Sequence, residues 1–262
     1  MLVTYTHEGP AAVITIDRPE KRNALSRALI AELGEAFERA RTDAAARSVI
    51  LTASGPAFCA GMDLDELHAT MAQADEAELV WDDAHRLSVL YDAIYTLPKP
   101  TICAVNGSAV AGGAGLVTVC DLALSVPNAK FGYPEVRRGL VAAMVLPHLL
   151  RHVGERQARW LLLTGELVDA VEALRMGMLN SLVSGDQLMP TAEAWARQLA
   201  EGGPKALATT KELLRRCSPM AVGVHDLAKA SAEPRLTDEC RAGLAAFFGK
   251  QPTPWSVQQA NG

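Results

Sequence analysis

Residues Pro100–Lys130 of this chain read PTICAVNGSAVAGGAGLVTVCDLALSVPNAK, and this stretch decides the fold more than any other. The apolar run Thr101–Val105 ends at Asn106, which is typical of a buried strand followed by a turn. Small residues dominate from Ala109 to Gly115, where a helix is predicted to start. The first N–H groups of a helix have no partner within it and lie at the positive end of its dipole. The strand, the glycine-rich turn and the helix N-terminus therefore predict a site for an oxyanion.

A second segment has the same character. Ser48–Ala53 (SVILTA) predicts another buried strand, and the sequence AFCAGMDL follows it at Ala57–Leu64. Asp63 in this segment is a candidate helix cap. Two such turns could each direct one N–H at a shared carbonyl oxygen, although either glycine cluster alone is more typical of ordinary turns and helix packing.

The bulk composition is that of an ordinary globular protein. The 262 residues suffice for one large domain or two smaller ones, and 49% of them are hydrophobic against 21% charged. A net charge of −5 provides no basic surface for nucleic acid or for an anionic membrane. Both kinds of partner are therefore unexpected.

The cysteines and the N-terminal sequence indicate in which cellular compartment the protein is expected. The five cysteines are scattered without a CxxC pair, which favours reduced thiols over a disulfide framework or a zinc site. The N-terminal segment MLVTYTHEGP lacks the pattern of a signal peptide, and no apolar run approaches the ~20 residues of a membrane helix. We therefore expect a cytoplasmic protein without a bound metal.

Strand-like and helix-like patterns alternate in the first half of the chain, which predicts an α/β layer with crossovers of the βαβ type. The predicted strands are Leu2–Thr6, Ala12–Asp17, Val49–Ala53, Thr101–Val105 and Leu122–Val126. The predicted helices of this half are Ser26–Arg41, a broken one over Leu64–Tyr95, and Ala114–Val119. After Gly139 the pattern is helical, near Val145–Val153, Glu155–Leu163, Asp169–Met176, Gln187–Glu201, Pro204–Arg216 and Arg235–Phe248.

Five segments, in this order, resemble the crotonase (enoyl-CoA hydratase/isomerase) superfamily: AFCAGMDL, AVNGSAVAGGAGL, CDLALS, AKFGYPEVRRGL and LLLTGELVDAVEALRMGMLN. The resemblance covers nearly the whole chain. It implies an α/β fold, a crotonase-like spiral of ββα units over residues 1–200. Residues 201–262 are then expected to form a C-terminal helical trimerisation region that packs on the core and on a neighbouring subunit. A homotrimer or a hexamer is the implied assembly.

The resemblance also implies a substrate and site residues. The substrate is expected to be an acyl-CoA thioester, with no cofactor apart from the coenzyme A that it carries. Ala60 and Gly112 are the implied backbone donors to an enolate oxygen, and Glu135 is the implied proton carrier. The residues implied to bind substrate are Arg22, Ala24, Ala60, Gly61, Met62, Asp63, Leu64, Gly112 and Lys250.

The acidic residues are few near the predicted site. Asp121 and Glu135 are the only acidic residues between Asp92 and Glu155. Asp121 is expected to be a structural hydrogen-bonding group. Many hydratases of the family carry a second glutamate where this chain has Gly115. One carboxylate that moves a proton between the α- and γ-carbons is the simplest mechanism, which favours isomerisation of an enoyl-CoA.

Other functions stay open at this stage. Hydration of an enoyl-CoA remains possible if another residue orients the water, as does a different crotonase reaction on an acyl-CoA. The rival from another class is a catalytically degenerate homologue that binds CoA or acts as a scaffold. RNA binding is disfavoured by the acidic charge balance.

Overall fold

The structure is a computed structural model that describes residues 1–218 and 223–256. Its strands are β1 (Val3–Glu8), β2 (Ala11–Ile16), β3 (Ser48–Ala53), β4 (Ala57–Cys59), β5 (Thr101–Val105), β6 (Ser108–Val110), β7 (Leu122–Ser125), β8 (Lys130–Gly132), β9 (Leu167–Asp169) and β10 (Ser181–Leu182). Its helices are α1 (Arg27–Thr42), α2 (Leu64–Thr70), α3 (Glu76–Tyr95), α4 (Gly112–Val119), α5 (Leu146–Thr164), α6 (Ala170–Met176), α7 (Leu188–Ala200), α8 (Pro204–Cys217), α9 (Val224–Arg235) and α10 (Asp238–Phe248). Short 3-10 helices span Pro19–Lys21, Pro134–Arg138 and Gly185–Gln187.

The strands form two sheets. One has the order β1-β2-β3-β5-β7-β10, in which only the β1–β2 pair is antiparallel, and the other has the order β4-β6-β8-β9 with an antiparallel β8–β9 pair. Each of β3, β5 and β7 is followed by a short strand of the second sheet and then by a helical segment. This order is the ββα repeat that the family resemblance implies.

The central strands form where apolar residues run without interruption. Every residue of β3 and of β5 is buried, as expected for parallel strands covered on both faces. The observed bounds of β5 are those predicted, whereas the three-residue strands β4, β6, β8 and β9 are absent from the prediction. Such short strands carry too few residues for a hydrophobic period.

Two predicted helix interruptions occur in the structure. The Leu64–Tyr95 segment is divided into α2 and α3, with residues 71–75 between them. Gly154 has φ +70 within α5, which separates the two helical segments predicted there. The cap role predicted for Asp63 is confirmed, since its side chain accepts hydrogen bonds from the N–H groups of Asp65 and Glu66 at the start of α2.

The last two helices pack back onto the same chain. Helix α9, which the sequence analysis missed, packs along α3, and α10 packs on the 3-10 helix Pro134–Arg138. A Cβ atom at Gly243 of α10 would lie 2.5 Å from the Arg138 carbonyl oxygen, so the two segments are in close contact. The division of the chain at residue 200 and the contact with a neighbouring subunit stay predictions. Residues 219–222 and 257–262 of the predicted C-terminal helical region lie outside the described residues.

Within residues 1–218 and 223–256, no helix is long and apolar enough to cross a membrane. The same residues contain no group of three histidine, cysteine, aspartate or glutamate side chains arranged to hold a metal ion.

Candidate active site

A cavity of about 490 Å³ lies between the two glycine-containing turns, the 3-10 helix Pro134–Arg138 and the C-terminal helices. The turn after β4 and the start of α4 form one wall. Helices α9 and α10 contribute Ser231, Arg235 and Phe248 from the opposite end of the chain. The cavity therefore combines the predicted oxyanion turns with side chains of α9 and α10 that the sequence analysis did not assign to the site.

Ala60 lines the cavity, but its amide is already used. The Ala60 N–H donates a hydrogen bond to the Arg22 carbonyl oxygen at 3.0 Å. An N–H in a good hydrogen bond is not free to stabilise an oxyanion. The geometry therefore argues against Ala60 as a backbone donor.

The backbone amide that is free in this turn belongs to Met62, two residues after Ala60. The Leu25 N–H donates to the Gly61 carbonyl at 2.7 Å, and the Asp63 N–H donates to the Leu25 carbonyl at 3.1 Å. The Gly61 carbonyl and the Asp63 N–H thus both point toward Leu25. The N–H of Met62, which lies between them, points away from Leu25. Met62 lines the cavity, and its N–H has no acceptor in the described parts of the chain.

The second turn supplies a similar free amide. Helix α4 begins at Gly112, whose N–H has no acceptor among the described residues, and its first turn closes with the Gly115 N–H bonded to the Ala111 carbonyl at 3.0 Å. Ala111 has φ +53, a conformation that costs a non-glycine residue on the order of 1–3 kcal/mol. Its N–H is held by the Gly132 carbonyl at 2.8 Å. This strained residue orients the amide of Gly112 at the N-terminus of α4.

The two turns touch each other at Gly61. A Cβ atom there would lie 2.8 Å from the Ala111 Cβ and 3.3 Å from the Gly112 nitrogen. Gly61 also has φ +89, which favours glycine. A glycine at this position brings the free N–H groups of Met62 and Gly112 to one side of the same cavity.

Glu135 provides a deeply buried carboxyl group in the wall of the cavity. It follows Pro134 at the first position of the 3-10 helix, and its Oε2 atom is buried without a hydrogen-bond partner in the described chain. Burial raises the pKa of Glu135 to about 7, while its own backbone N–H and the guanidinium groups of Arg138 and Arg235 partly oppose the increase. A carboxyl group with a pKa near neutrality can both accept and return a proton.

The space beside Gly115 is already filled. A Cβ atom at Gly115 would lie 2.5 Å from Val145 Cγ1 and 2.6 Å from the hydroxyl oxygen of Tyr91. That hydroxyl donates a hydrogen bond to the Gly112 carbonyl at 2.7 Å. A second glutamate at position 115 would therefore collide with Tyr91, which lines the cavity in its place.

The remaining predicted binding residues fall into two groups. Those that line the cavity are Arg22, Ala24, Met62, Asp63 and Leu64. Asp63 is itself buried in an ion pair with Arg18 at 2.6 Å, so its side chain has a structural partner. Gly61 acts through its packing, and Lys250 is exposed and is not among the residues that line the cavity.

Asp121 has the structural role expected of it. Its carboxylate accepts hydrogen bonds from the Thr101 N–H at 2.7 Å and from the Lys211 ammonium at 2.5 Å. These contacts join β5, the end of α4 and α8 outside the cavity. Of the two acidic residues between Asp92 and Glu155, Glu135 is thus the one whose carboxyl group lies at the cavity.

Sequence reasoning missed the polar residues that α9 contributes. Ala228, Ser231, Ala232 and Arg235 are the buried residues of this helix, and their spacing is that of one helical face. The regular spacing of small residues was the available signal. Because an arginine is rarely part of a buried face, the pattern did not point to Arg235.

The comparisons with known proteins identify the family to which the chain is similar. Residues 6–258 match the family profile of enoyl-CoA hydratase/isomerase. A protein of Thermus thermophilus named "Putative enoyl-CoA hydratase" is 41% identical over 254 residues, which cover 95% of this chain and 99% of that protein. The carnitinyl-CoA dehydratase of Citrobacter koseri is 37% identical over 223 residues, 83% of this chain and 82% of its own length. The crystal structure of an enoyl-CoA hydratase from Mycobacterium avium superposes with a TM-score of 0.84 at 32% identity, covering 97% of this chain and 99% of that one.

Proposed function

The chain belongs to the enoyl-CoA hydratase/isomerase family, and from that premise we propose that it is an enzyme that moves a proton on an enoyl-CoA through Glu135 as the single acid–base group. Family membership carries the fold and the acyl-CoA class of substrate. The residues that perform the reaction, and the reaction itself, are what we propose here.

The oxyanion is proposed to bind two backbone donors, Met62 N–H and Gly112 N–H. This assignment replaces Ala60, whose N–H is bonded to Arg22. Fixed backbone donors stabilise the negative charge that develops on the thioester oxygen, and removal of one such donor typically costs about 3 kcal/mol of transition-state stabilisation. Gly112 adds the positive end of the α4 dipole.

The proton steps follow from one carboxylate. Ionised Glu135 removes a proton from the α-carbon of a 3-enoyl thioester, and the electron pair of the broken C–H bond delocalises into a dienolate whose oxygen accepts from Met62 and Gly112. Protonated Glu135 then gives the same proton to the γ-carbon, the double bond moves to the 2,3 position, and the carboxylate is regenerated. The single observation that carries this reading is the packing of Tyr91 and Val145 against Gly115, which leaves no space for a second carboxylate.

Hydration of a 2-enoyl thioester is the second candidate, and one observation favours it. The Tyr91 hydroxyl, whose proton is donated to the Gly112 carbonyl, keeps an oxygen lone pair beside the cavity, where it could accept a hydrogen bond from the attacking water. The relatives named above are also called hydratases or dehydratases.

Two substrates in D2O distinguish the candidates. We expect trans-3-hexenoyl-CoA to be converted to the 2-enoyl product, and crotonyl-CoA to remain without added water. Addition of water to crotonyl-CoA would instead support the hydratase reading. Absence of both products, with no deuterium at the α-carbon, would overturn the proposed enzyme and support the homologue that only binds CoA.

A further inference from the structure

Arg235, the last residue of α9, is a buried cation that forms no ion pair within residues 1–218 and 223–256. Only 3% of its surface is exposed. Its Nη2 donates a hydrogen bond to the Ser231 hydroxyl oxygen at 3.0 Å, and its Nη1 is buried without any partner in the described chain. Both Arg235 and Ser231 line the cavity, so the unpaired donor belongs to the wall of the active site.

The acidic side chains of the surroundings do not neutralise this guanidinium directly. Asp83 lies in the same region, but it is held by Arg27, with Nε–Oδ1 and Nη2–Oδ2 distances of 2.6 and 2.8 Å. Glu135 is within electrostatic range of Arg235 but forms no ion pair with it among the described residues. A buried guanidinium without an adjacent carboxylate is costly, because its lost hydration is not replaced.

Arg138 brings a second positive charge to the same cavity. Its Nε is buried without a partner in the described residues, and its Nη1 reaches the Pro134 carbonyl only at 3.4 Å. Two guanidinium groups with unused donors thus line one cavity, and neither forms an ion pair within the described residues. Of the acidic side chains that line the same cavity, Asp63 and Asp65 are paired with Arg18 and Lys21. The buried Nη1 of Arg235 and Nε of Arg138 therefore lack both a hydrogen-bond acceptor and an adjacent negative charge among the described residues.

The other side chains around this part of the cavity are apolar, and they include Leu140, Val141, Met144, Val145 and Phe247. They suit the methylene groups of an acyl chain. A plain hydrocarbon chain, however, would offer no acceptor to Arg235 and would leave its buried Nη1 donor unpaired.

We propose that the acyl group of the substrate ends in a carboxylate, which Arg235 binds while Ser231 holds the guanidinium in place. The substrate class is then the CoA monothioesters of dicarboxylic acids. A carboxylate accepts from the unused Nη1 donor, supplies the missing negative charge, and leaves the methylene groups against the apolar side chains. This inference rests on the proposed function, since it assumes that the cavity holds the acyl part of a CoA thioester.

The test compares affinities, so it does not depend on turnover. Saturated CoA monothioesters of five-, six- and seven-carbon dicarboxylic acids are each paired with the methyl-terminated acyl-CoA of the same chain length, and dissociation constants are measured by calorimetry. For at least one length we expect the dicarboxylic thioester to bind the wild-type protein roughly tenfold to a hundredfold more tightly than its partner. Equal affinity, or preference for the methyl-terminated thioester at all three lengths, would overturn the proposal without recourse to any variant.

Two variants then assign the preference to Arg235. Arg235→Gln should reduce the ratio of the two affinities to near one, and Ser231→Ala, which keeps the guanidinium and removes its positioning contact, should reduce it by a smaller factor. A preference that survives Arg235→Gln unchanged would refute the role of Arg235. If the preference is present but neither the 2-enoyl product nor deuterium at the α-carbon is found in the D2O experiment, the proposed reaction fails and the carboxylate site stands. If the 2-enoyl product forms without the preference, the carboxylate site fails alone.

Discussion

Replacing Glu135 by glutamine should stabilise the protein at alkaline pH while it abolishes proton transfer. Burial raises the pKa of the folded-state carboxyl from 4.5 to about 7. Between these two values the folded protein binds more protons than the unfolded chain, so its free energy of unfolding falls as the pH rises. The contribution of the protonated carboxyl is complete below pH 4.5 and is lost as the pH passes 7. Glutamine cannot ionise and does not suffer this loss.

The magnitude follows from the two pKa values. They differ by about 2.5, and each pKa unit corresponds to about 1.4 kcal/mol, so an ionised Glu135 destabilises the fold by about 3 kcal/mol relative to the protonated form. Most of that loss, on the order of 2.5 kcal/mol, falls between pH 5 and pH 8.5. The stability advantage of Glu135→Gln over the wild type should grow by this amount across the interval.

Urea unfolding at pH 5 and at pH 8.5 measures the effect, at one protein concentration so that any subunit association is held constant. Glu155→Gln is the matched control, because Glu155 is an exposed glutamate on α5 paired only with Arg159. It should show no comparable growth in stability between the two pH values. If the difference between Glu135→Gln and the wild type is the same at both pH values, the buried, proton-binding carboxyl inferred here does not exist.

Three further results are expected. For the 3-enoyl thioester, kcat/KM should rise with pH and level off above about pH 7, because the ionised form of Glu135 is the base; a profile that is flat from pH 5 to 9 would exclude it. Gly112→Pro, which removes the N–H at a helix position that tolerates proline, should lower kcat about 100-fold relative to Gly112→Ala, which keeps the N–H; equal rates would remove this amide from the oxyanion site. Gly115→Glu should lower stability by about 1–3 kcal/mol through overpacking against Tyr91. Thermal unfolding of the double variant with Tyr91→Ala should show less destabilisation than the sum of the two single effects, and strict additivity would contradict the contact.

The secondary structure can be predicted from the sequence wherever a hydrophobic segment is long enough to show the periodicity of a strand or a helix. The bounds of β5 follow directly from the run Thr101–Val105, and a break within Leu64–Tyr95 was predicted without a position, which the structure gives as residues 71–75. The second sheet was not accessible in the same way. Its strands β4, β6 and β8 have three residues each, and their pairing is determined by how the two glycine turns meet.

The sequence predicts which turns form the site, but it does not predict which backbone amide of the first turn faces the cavity. The sequence identifies the AGMDL segment, yet the amide that faces the cavity depends on Leu25, which bonds to Gly61 and Asp63 and leaves Met62 free. That contact joins segments more than thirty residues apart, so no local pattern reports it. Arg235 was missed for a related reason, because its role depends on where α9 packs and not on the residues around it.

The packing of α10 on the 3-10 helix Pro134–Arg138 has a consequence for the synthesis of the protein. A chain leaves the ribosome from its N-terminus, so Glu135 emerges long before Gly243, which closes against Arg138. Until α9 and α10 are made, the cavity lacks one wall, and the carboxyl group of Glu135 stays open to water. The nascent protein can thus complete its sheets, but it acquires a carboxyl group able to exchange protons near neutral pH only when its last helices are in place.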